Sequence, residues 1–508
     1  MAEEPILVVQ DARSYSHLIN DIIIACVGVF VFSPCLFNFF VSDDFYWISR
    51  GVNLTLDNFV NSFQVSTYNI FRPLVPVFFF ALHQIFKLSP SGYHLTSIVL
   101  HILNSILFYH ILLHFSLRKE ISLFSAVLFV SHFAHEETVF WISSNCVLCS
   151  WFFSLSSILT FVKWLKGGKT WFYFLSLGLA VIALLFREDA LFLPFILSLI
   201  VWLLCFRSKA EITGGLNEKR LMTRIMNLTP FFVLIIVYLF LRSLSLPDLY
   251  FGTLFSFNPV NIVRNFAYFL VNLIFPTRFI FDAIGYHHSR TINFAVNNID
   301  SNIMFLIIGS LIIIFSILLF FRILRKANRD SKLLVAIFFI AIFPCLFSRG
   351  YSLRFSYLPL LGFVPIASYV LLLLFSKIRR CNLKLEIHHL YLYTFLTCLV
   401  LFSFLILFER NIWWSKASRI CEDTISKAES VISKLPVGFQ IGFKNLPTRL
   451  HGAYILNNGF VEAMGLFYPI KQHDIMVIES GVIDGEKEEN EDNHFVFKYV
   501  DGVFYQIF

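Results

Sequence analysis

The chain has 508 residues, 57% of them hydrophobic and only 14% charged, with 63 phenylalanines and a formal charge of +7. A soluble domain carries about 25% charged residues, so this composition excludes a water-soluble globular class and indicates an all-α polytopic membrane protein. The positive charge is not a nucleic-acid signal, because the basic residues form short clusters between apolar segments, the pattern of cytoplasmic loops.

In chain order, the N-terminus begins Ala2-Glu3-Glu4-Pro5 and lacks a basic n-region, so the first apolar segment reads as an uncleaved anchor. A spanning helix needs about 20 mainly apolar residues. Spans on that criterion fall near 20–41, 93–115, 120–138, 147–165, 171–186, 189–206, 226–243, 302–323, 332–348, 356–375 and 389–408, about eleven in all. The segment 259–276 is apolar but broken by Arg264, Asn265 and Asn272, and reads as an interfacial helix in a long loop. With these spans, the basic loops around Arg118-Lys119, Lys163 to Lys169, Arg207 to Arg224, Arg322 to Lys332 and Lys377 to Lys384 share one side. The positive-inside rule makes that side cytoplasmic, with the N-terminus inside and the C-terminus outside. Abundant Phe and Ile favour a bacterial cell membrane over the endoplasmic reticulum as the location.

The composition changes near residue 409. A polar helical stretch follows Glu409-Arg410-Asn411-Ile412-Trp413-Trp414, and residues 485–493 form an acidic loop. The end of the chain alternates toward a β-hairpin turning at Asp501-Gly502. Two domains are therefore expected, a transmembrane domain over 1–408 and a small extracytoplasmic α/β domain over 409–508. The nine cysteines lie mostly in apolar stretches and suggest buried free thiols. Cys146 and Cys149 form a CxxC, but the partners needed for a metal or redox centre are missing.

The outer face carries the groups suited to chemistry. Asp43-Asp44 sit just after the first span in an aromatic setting. They are either solvated capping residues or a general base, since a partly desolvated carboxylate near a cation is tuned for taking a hydroxyl proton. Helical geometry turns adjacent side chains about 100° apart, so the two are expected to differ in role. Glu136 and Glu137 follow in His132-Phe133-Ala134-His135-Glu136-Glu137, either as an acidic loop beside an interfacial Trp141 or as a second acidic element across a cavity. The histidines there do not make a metal site by spacing alone. Arg72, Arg187, Arg242, Arg264, Arg278, Arg349 and Arg354 fall on the same face. Singly they read as interfacial anchors, and together they suit a phosphate, which guanidinium forks match. His94, His101 and Asn104 recur at helical spacing and read first as a structural stripe.

These segments, in order, resemble the GT-C membrane glycosyltransferases, closest to protein O-mannosyltransferase-like enzymes, including the transmembrane part of the tetratricopeptide-containing O-mannosyltransferases, and their bacterial relatives. The pieces are Asp43-Asp44-Phe45, Phe71-Arg72-Pro73-Leu74, Tyr93-His94-Leu95-Thr96 with His101 and Asn104, His132 to Glu137 with Trp141, Arg187-Glu188 with Pro194, and Arg354 with Tyr357-Leu358-Pro359. The resemblance covers roughly residues 20–375 and departs at Phe133, Asn145, Ser97 and Arg187, and in lacking the tetratricopeptide tail. It implies an inverting transfer of a mannose-like hexose from a polyprenyl-phosphate carrier to an acceptor hydroxyl on the outer face. Asp43, Asp44 and Glu137 take the catalytic places. Arg72, His94, His132, Glu136, Arg187, Glu188, Arg242, Arg354 and Tyr357 are the implied substrate-binding residues, with Arg354 placed for the lipid phosphate. The expected partners are the lipid-linked donor, a protein, glycan or lipid acceptor, and the membrane itself. No cofactor is assigned, and a divalent cation stays open. The alternative from another class is a flippase or transporter of lipid-linked saccharides, which needs ionisable groups along a path through mid-membrane; a polymerase or ligase is a third reading.

Overall fold

The computed structural model describes residues 4–61, 63, 70–115, 119–206, 217–245, 257–279, 329–347, 352–378, 385–435, 440–468, 475–478 and 494–507. The expected span at 302–323, Arg349, the acidic loop at 485–493 and parts of the basic loops lie outside them.

In chain order the helices are α1 (Glu4–Phe32), α2 (Asp43–Val52), α3 (Leu56–Asn61), α4 (Leu74–Phe86), α5 (Pro90–His114), α6 (Lys119–Val130), α7 (Glu136–Phe140) and α8 (Asn145–Leu165). They continue with α9 (Trp171–Phe186), α10 (Leu193–Phe206), α11 (Asn217–Met226), α12 (Thr229–Ser245), α13 (Pro259–Ile274), α14 (Arg329–Leu346), α15 (Tyr357–Ile378) and α16 (Leu385–Ile432). Strands β1 (Gln440–Lys444), β2 (Arg449–Leu450) and β3 (Ala453–Tyr454) follow, then α17 (Phe460–Phe467), β4 (Ile475–Ile478), β5 (His494–Val500) and β6 (Val503–Gln506). The protein is thus a multi-pass α-helical membrane protein ending in a small sheet. Six stretches among the described residues are long and apolar enough to cross a bilayer, within 16–37, 90–114, 142–165, 222–245, 353–372 and 390–432.

Two expectations change in shape. The span at 120–138 does not form as one helix. α6 stops at Val130, and residues 133–140 fold as a short 3-10 turn and α7. Ser131 bonds back to the Val127 carbonyl of α6, whereas His132, His135, Glu136 and Glu137 meet partners on other elements of the fold. Second, the segment 42–92 holds α4, an apolar helix of 13 residues. At 1.5 Å per residue it is about 20 Å long, short of the hydrocarbon thickness. α2 crosses α4 at Gly51, where an added Cβ would lie 2.7 Å from the Phe80 nitrogen.

The last helix, α16, runs 48 residues without a break and passes through position 409. At about 72 Å it exceeds any bilayer crossing, so its second half serves the C-terminal region. There Arg410, Trp414, Ala417, Cys421, Ile425, Ala428 and Ile432 are buried at three- and four-residue spacing, one face of a helix. The sheet has the order β4-β1-β5-β6, with β1 parallel to β4 and β5 and a β5–β6 hairpin turning at Asp501-Gly502, as the sequence indicates. Phe443 anchors its core against Phe497, Phe460 and Phe504.

Candidate active site

The end of the bundle where α1, α6 and α9 finish and α5, α8, α10 and α15 begin is closed by four loops and by the C-terminal region. Its organising piece is the turn 141–146 before α8. Ser143 donates from its backbone N–H and its hydroxyl to Asp44 Oδ1, at 2.7 and 2.5 Å. The Ser143 carbonyl accepts from the Cys146 thiol, and Arg72 and Arg187 each place an Nη1 at 3.8 Å from that sulfur. One short turn therefore links the first-loop acid to two arginines from different loops.

The two aspartates occupy different environments. Asp44 is 1% exposed and also accepts from the Val41 N–H at 3.0 Å. Burial pushes its carboxyl up to about 7, against the opposing pull of those hydrogen bonds and with help from the charge of Asp43. Asp43 is half-buried and accepts from Asn458 Nδ2 at 2.8 Å. Both carboxylate oxygens of Asp44 accept hydrogen bonds from within the protein, while Asp43 stays partly open.

The second pair is enclosed. Glu136 accepts from Trp414 Nε1 at 3.0 Å and lies 3.1 Å from Arg410 Nε and 3.5 Å from Arg278 Nη1. Glu137 accepts from the Ser352 hydroxyl, from the Leu353 N–H at 3.0 Å and from the Tyr454 hydroxyl at 3.1 Å. Arg278 Nη2 stands 3.5 Å away and Arg354 Nε 4.0 Å away. Burial by itself would raise the Glu137 carboxyl, but Arg278 and Arg354, with Ser352 and Tyr454, hold it below the usual range.

The arginines gather beside these acids. Arg72 forms a two-point pair with Glu188, Nε to Oε2 at 3.1 Å and Nη2 to Oε1 at 2.6 Å, while Arg187 Nε pairs with Asp189 at 2.8 Å. Burial opposes the charge on Glu188, but Arg72, Arg187 and Arg242 hold its carboxyl well below the usual range. Arg187 and Arg354 flank the ring of Phe355 at 5.8 and 5.6 Å. Arg354 also lies 4.8 Å from the centre of Trp141, which stacks on Tyr454, which in turn carries Arg449 at 4.4 Å. With 27% of its side chain exposed, Arg354 is more open than Arg72 at 13%, Arg278 at 10% or Arg187 at 4%.

Four of the expected substrate ligands lie inside the protein in this arrangement. His132 uses one ring nitrogen toward the Leu273 carbonyl and the other toward the Ala134 N–H, so it anchors the loop. Tyr357 is 1% exposed and is hydrogen-bonded by Asn104 and His101. His94 is buried on α5 beside the Asn38 backbone, and Glu136 is spent on Arg410, Arg278 and Trp414. Their polar atoms support the site from beneath. Trp141, interfacial in one of the two readings of this loop, is 2% exposed. Conversely, Ser143, Ser352, Arg410, Trp414, Tyr454 and Asn458 carry contacts that no local sequence signal singles out. Arg278 stood only as one of seven arginines. Among the described residues, no group of three or more His, Cys, Asp or Glu side chains is arranged to hold a metal ion.

No protein-family model matches this chain, and no curated protein sequence matches it. Among solved structures, the crystal structure of ArnT from Cupriavidus metallidurans bound to undecaprenyl phosphate is similar over 90% of this chain and 89% of its own, at 10% identity and a TM-score of 0.44.

Proposed function

We propose that this protein is a GT-C-type membrane glycosyltransferase that moves a hexose from a polyprenyl-phosphate carrier to an acceptor hydroxyl. The observation that carries the reading is the turn 141–146, which joins a first-loop carboxylate to Arg72 of the same 42–92 segment and to Arg187 of the loop before α10, at one end of the bundle. Together with the sequence resemblance, it supports a reaction that needs a base on one side and a phosphate-stabilising charge on the other.

In this reading Asp43 takes the proton of the acceptor hydroxyl as its oxygen attacks the anomeric carbon. The bond from that carbon to the phosphate oxygen breaks, the polyprenyl phosphate leaves with the electron pair, and the configuration inverts. Arg354 receives the developing phosphate charge. Among the described residues its buried Nε has no hydrogen bond, and it is held toward Glu137 at 4.0 Å. A preset cation at the leaving oxygens stabilises the transition state without reorganisation at the moment of reaction. Arg72, Arg187 and Arg242 act on Glu188, and Asp189 pairs with Arg187, so their charge is partly neutralised. Asp44 ties the first loop to the second, and Glu137 orients Arg354 and Arg278. The site faces the extracytoplasmic side in this reading, as the basic loops indicate.

The test uses membranes containing the full chain, supplied with undecaprenyl-phosphate mannose, glucose and galactose in parallel, with release of undecaprenyl phosphate as the readout. The wild type is expected to consume at least one donor. Asp43→Asn should lower that rate by about 10²–10⁴-fold, the usual worth of a general base. Arg354→Ala should raise the apparent KM for the donor. Equal release by wild type and Asp43→Asn, or by neither with any of the donors, overturns the proposal.

A further inference from the structure

We infer that Asn458 in the C-terminal region is a positioning residue for Asp43, and that the segment 455–459 sets the geometry of the base. The inference rests on the reading of Asp43 as the base and extends it to a stretch of chain some 415 positions away in sequence. The C-terminal region on this account is a working part of the site.

The starting observation is Ser42, whose backbone sits at φ +50° and ψ −123°. Residues with a Cβ rarely adopt such a conformation, and they keep it only where the surroundings hold it. The surroundings here are the C-terminal segment. The Ser42 N–H donates to the Ile455 carbonyl at 2.7 Å, and the Asn458 N–H donates to the Ser42 hydroxyl at 3.3 Å. Gly459, at φ +81°, packs so closely that an added Cβ would fall 2.4 Å from the Ser42 carbonyl oxygen. Only glycine satisfies both the backbone angle and the contact.

The strained residue immediately precedes Asp43, the first residue of α2. Bending the chain at Ser42 therefore fixes the direction in which α2 starts and where its first carboxylates stand. Phe467 of α17 supports the same junction, with its ring 5.7 Å from Phe39 and 6.3 Å from Phe45. Asn458 Nδ2 then holds Asp43 Oδ1 at 2.8 Å, which leaves Oδ2 to take the acceptor proton. The amide must present its NH₂ to the carboxylate, because its carbonyl oxygen would repel the charge.

The experiment measures apparent kcat and donor KM in the same membranes, using the undecaprenyl-phosphate hexose that the wild type consumes. Asn458→Ala should lower kcat by about 10–100-fold with donor KM within about twofold, since a misdirected base slows the chemical step and leaves the arginine side intact. Asn458→Asp should lose at least as much, because it sets a like charge against Asp43. The thermal midpoint of both should stay close to that of the wild type, as Asn458 is exposed. Gly459→Ala should lower both kcat and the midpoint. Turnover of Asn458→Ala within about twofold of wild type, while Asp43→Asn remains inactive, overturns this inference and leaves the proposed function standing. A loss in Asn458→Ala that appears in KM alone also overturns it. Equal rates in wild type and Asp43→Asn remove the base assignment and this inference with it.

Discussion

Asp43-Asp44 and Glu136-Glu137 are the same device on paper, two adjacent carboxylates just beyond an apolar segment. In the folded protein they diverge. The glutamates are both sealed in and meet three arginines, two aromatic donors, a serine hydroxyl and a backbone N–H. The aspartates meet no cation at salt-bridge distance among the described residues. One is locked by Ser143 and Val41, and the other is left half-open beside Asn458. An acid surrounded by cations is stabilised as a charge and becomes a fixed part of the frame. The half-buried acid beside Asn458 is held by one neutral donor and is not tied into that frame of cations.

The sharpest break of this comparison is to remove one acid from each pair. Asp43→Asn should leave folding intact and cost activity, as described above. Glu137→Gln should do the reverse first: it strips the charge facing Arg278 and Arg354, and breaking a buried ion pair costs about 3–5 kcal/mol. A clear fall in thermal midpoint, with expression reduced, is the expected result. A Glu137→Gln protein as stable as wild type would show that the cluster is not held by charge.

A smaller effect should follow from Tyr454→Phe, which deletes one hydrogen bond to Glu137 and preserves the stacking on Trp141. A hydrogen bond to a charged group is worth about 1.5–3 kcal/mol, so the midpoint should drop by less than in Glu137→Gln. Combining the two should add little, because both act on one carboxylate.

The smallest difference concerns pH. Asp44 is raised to about 7 in the fold, above its unfolded value, so the native state binds a proton that the unfolded state has already lost. The stability contributed by the protonated form is present at about pH 4 and is lost as pH rises toward 7. Asp44→Asn should remove that slope. Measured against wild type, its midpoint should improve by about 2–4 °C between pH 4 and pH 7.5. No change of slope would mean that another group titrates in this window.

Much of the architecture is legible in the amino-acid order. Runs of apolar residues near 93–115 and 147–165 reappear as the long helices α5 and α8 within a few positions, and 171–186 as the shorter apolar helix α9, because apolar helix formation here follows local composition. The 120–138 segment shows where that rule stops: its apolar count suggests a crossing, but the polar residues after Val130 find partners on other elements and the helix ends. The candidate site was legible in kind, as acids and arginines on one face. It was not legible in arrangement, since His132, Tyr357 and Glu136 carry the right chemistry but turn inward to backbone, amide and guanidinium partners.

Sequence alone determined the solvent in which this protein lives and the loops that hold its ionisable groups, because both follow from residues close together along the chain. The tertiary structure decided that both glutamates and Asp44 are sealed while Asp43 is not, which arginine remains open, and that Asn458 and Gly459 brace the turn before Asp43. Those outcomes depend on contacts between segments hundreds of residues apart, where a difference of one hydrogen bond or one absent Cβ sets the direction of a side chain.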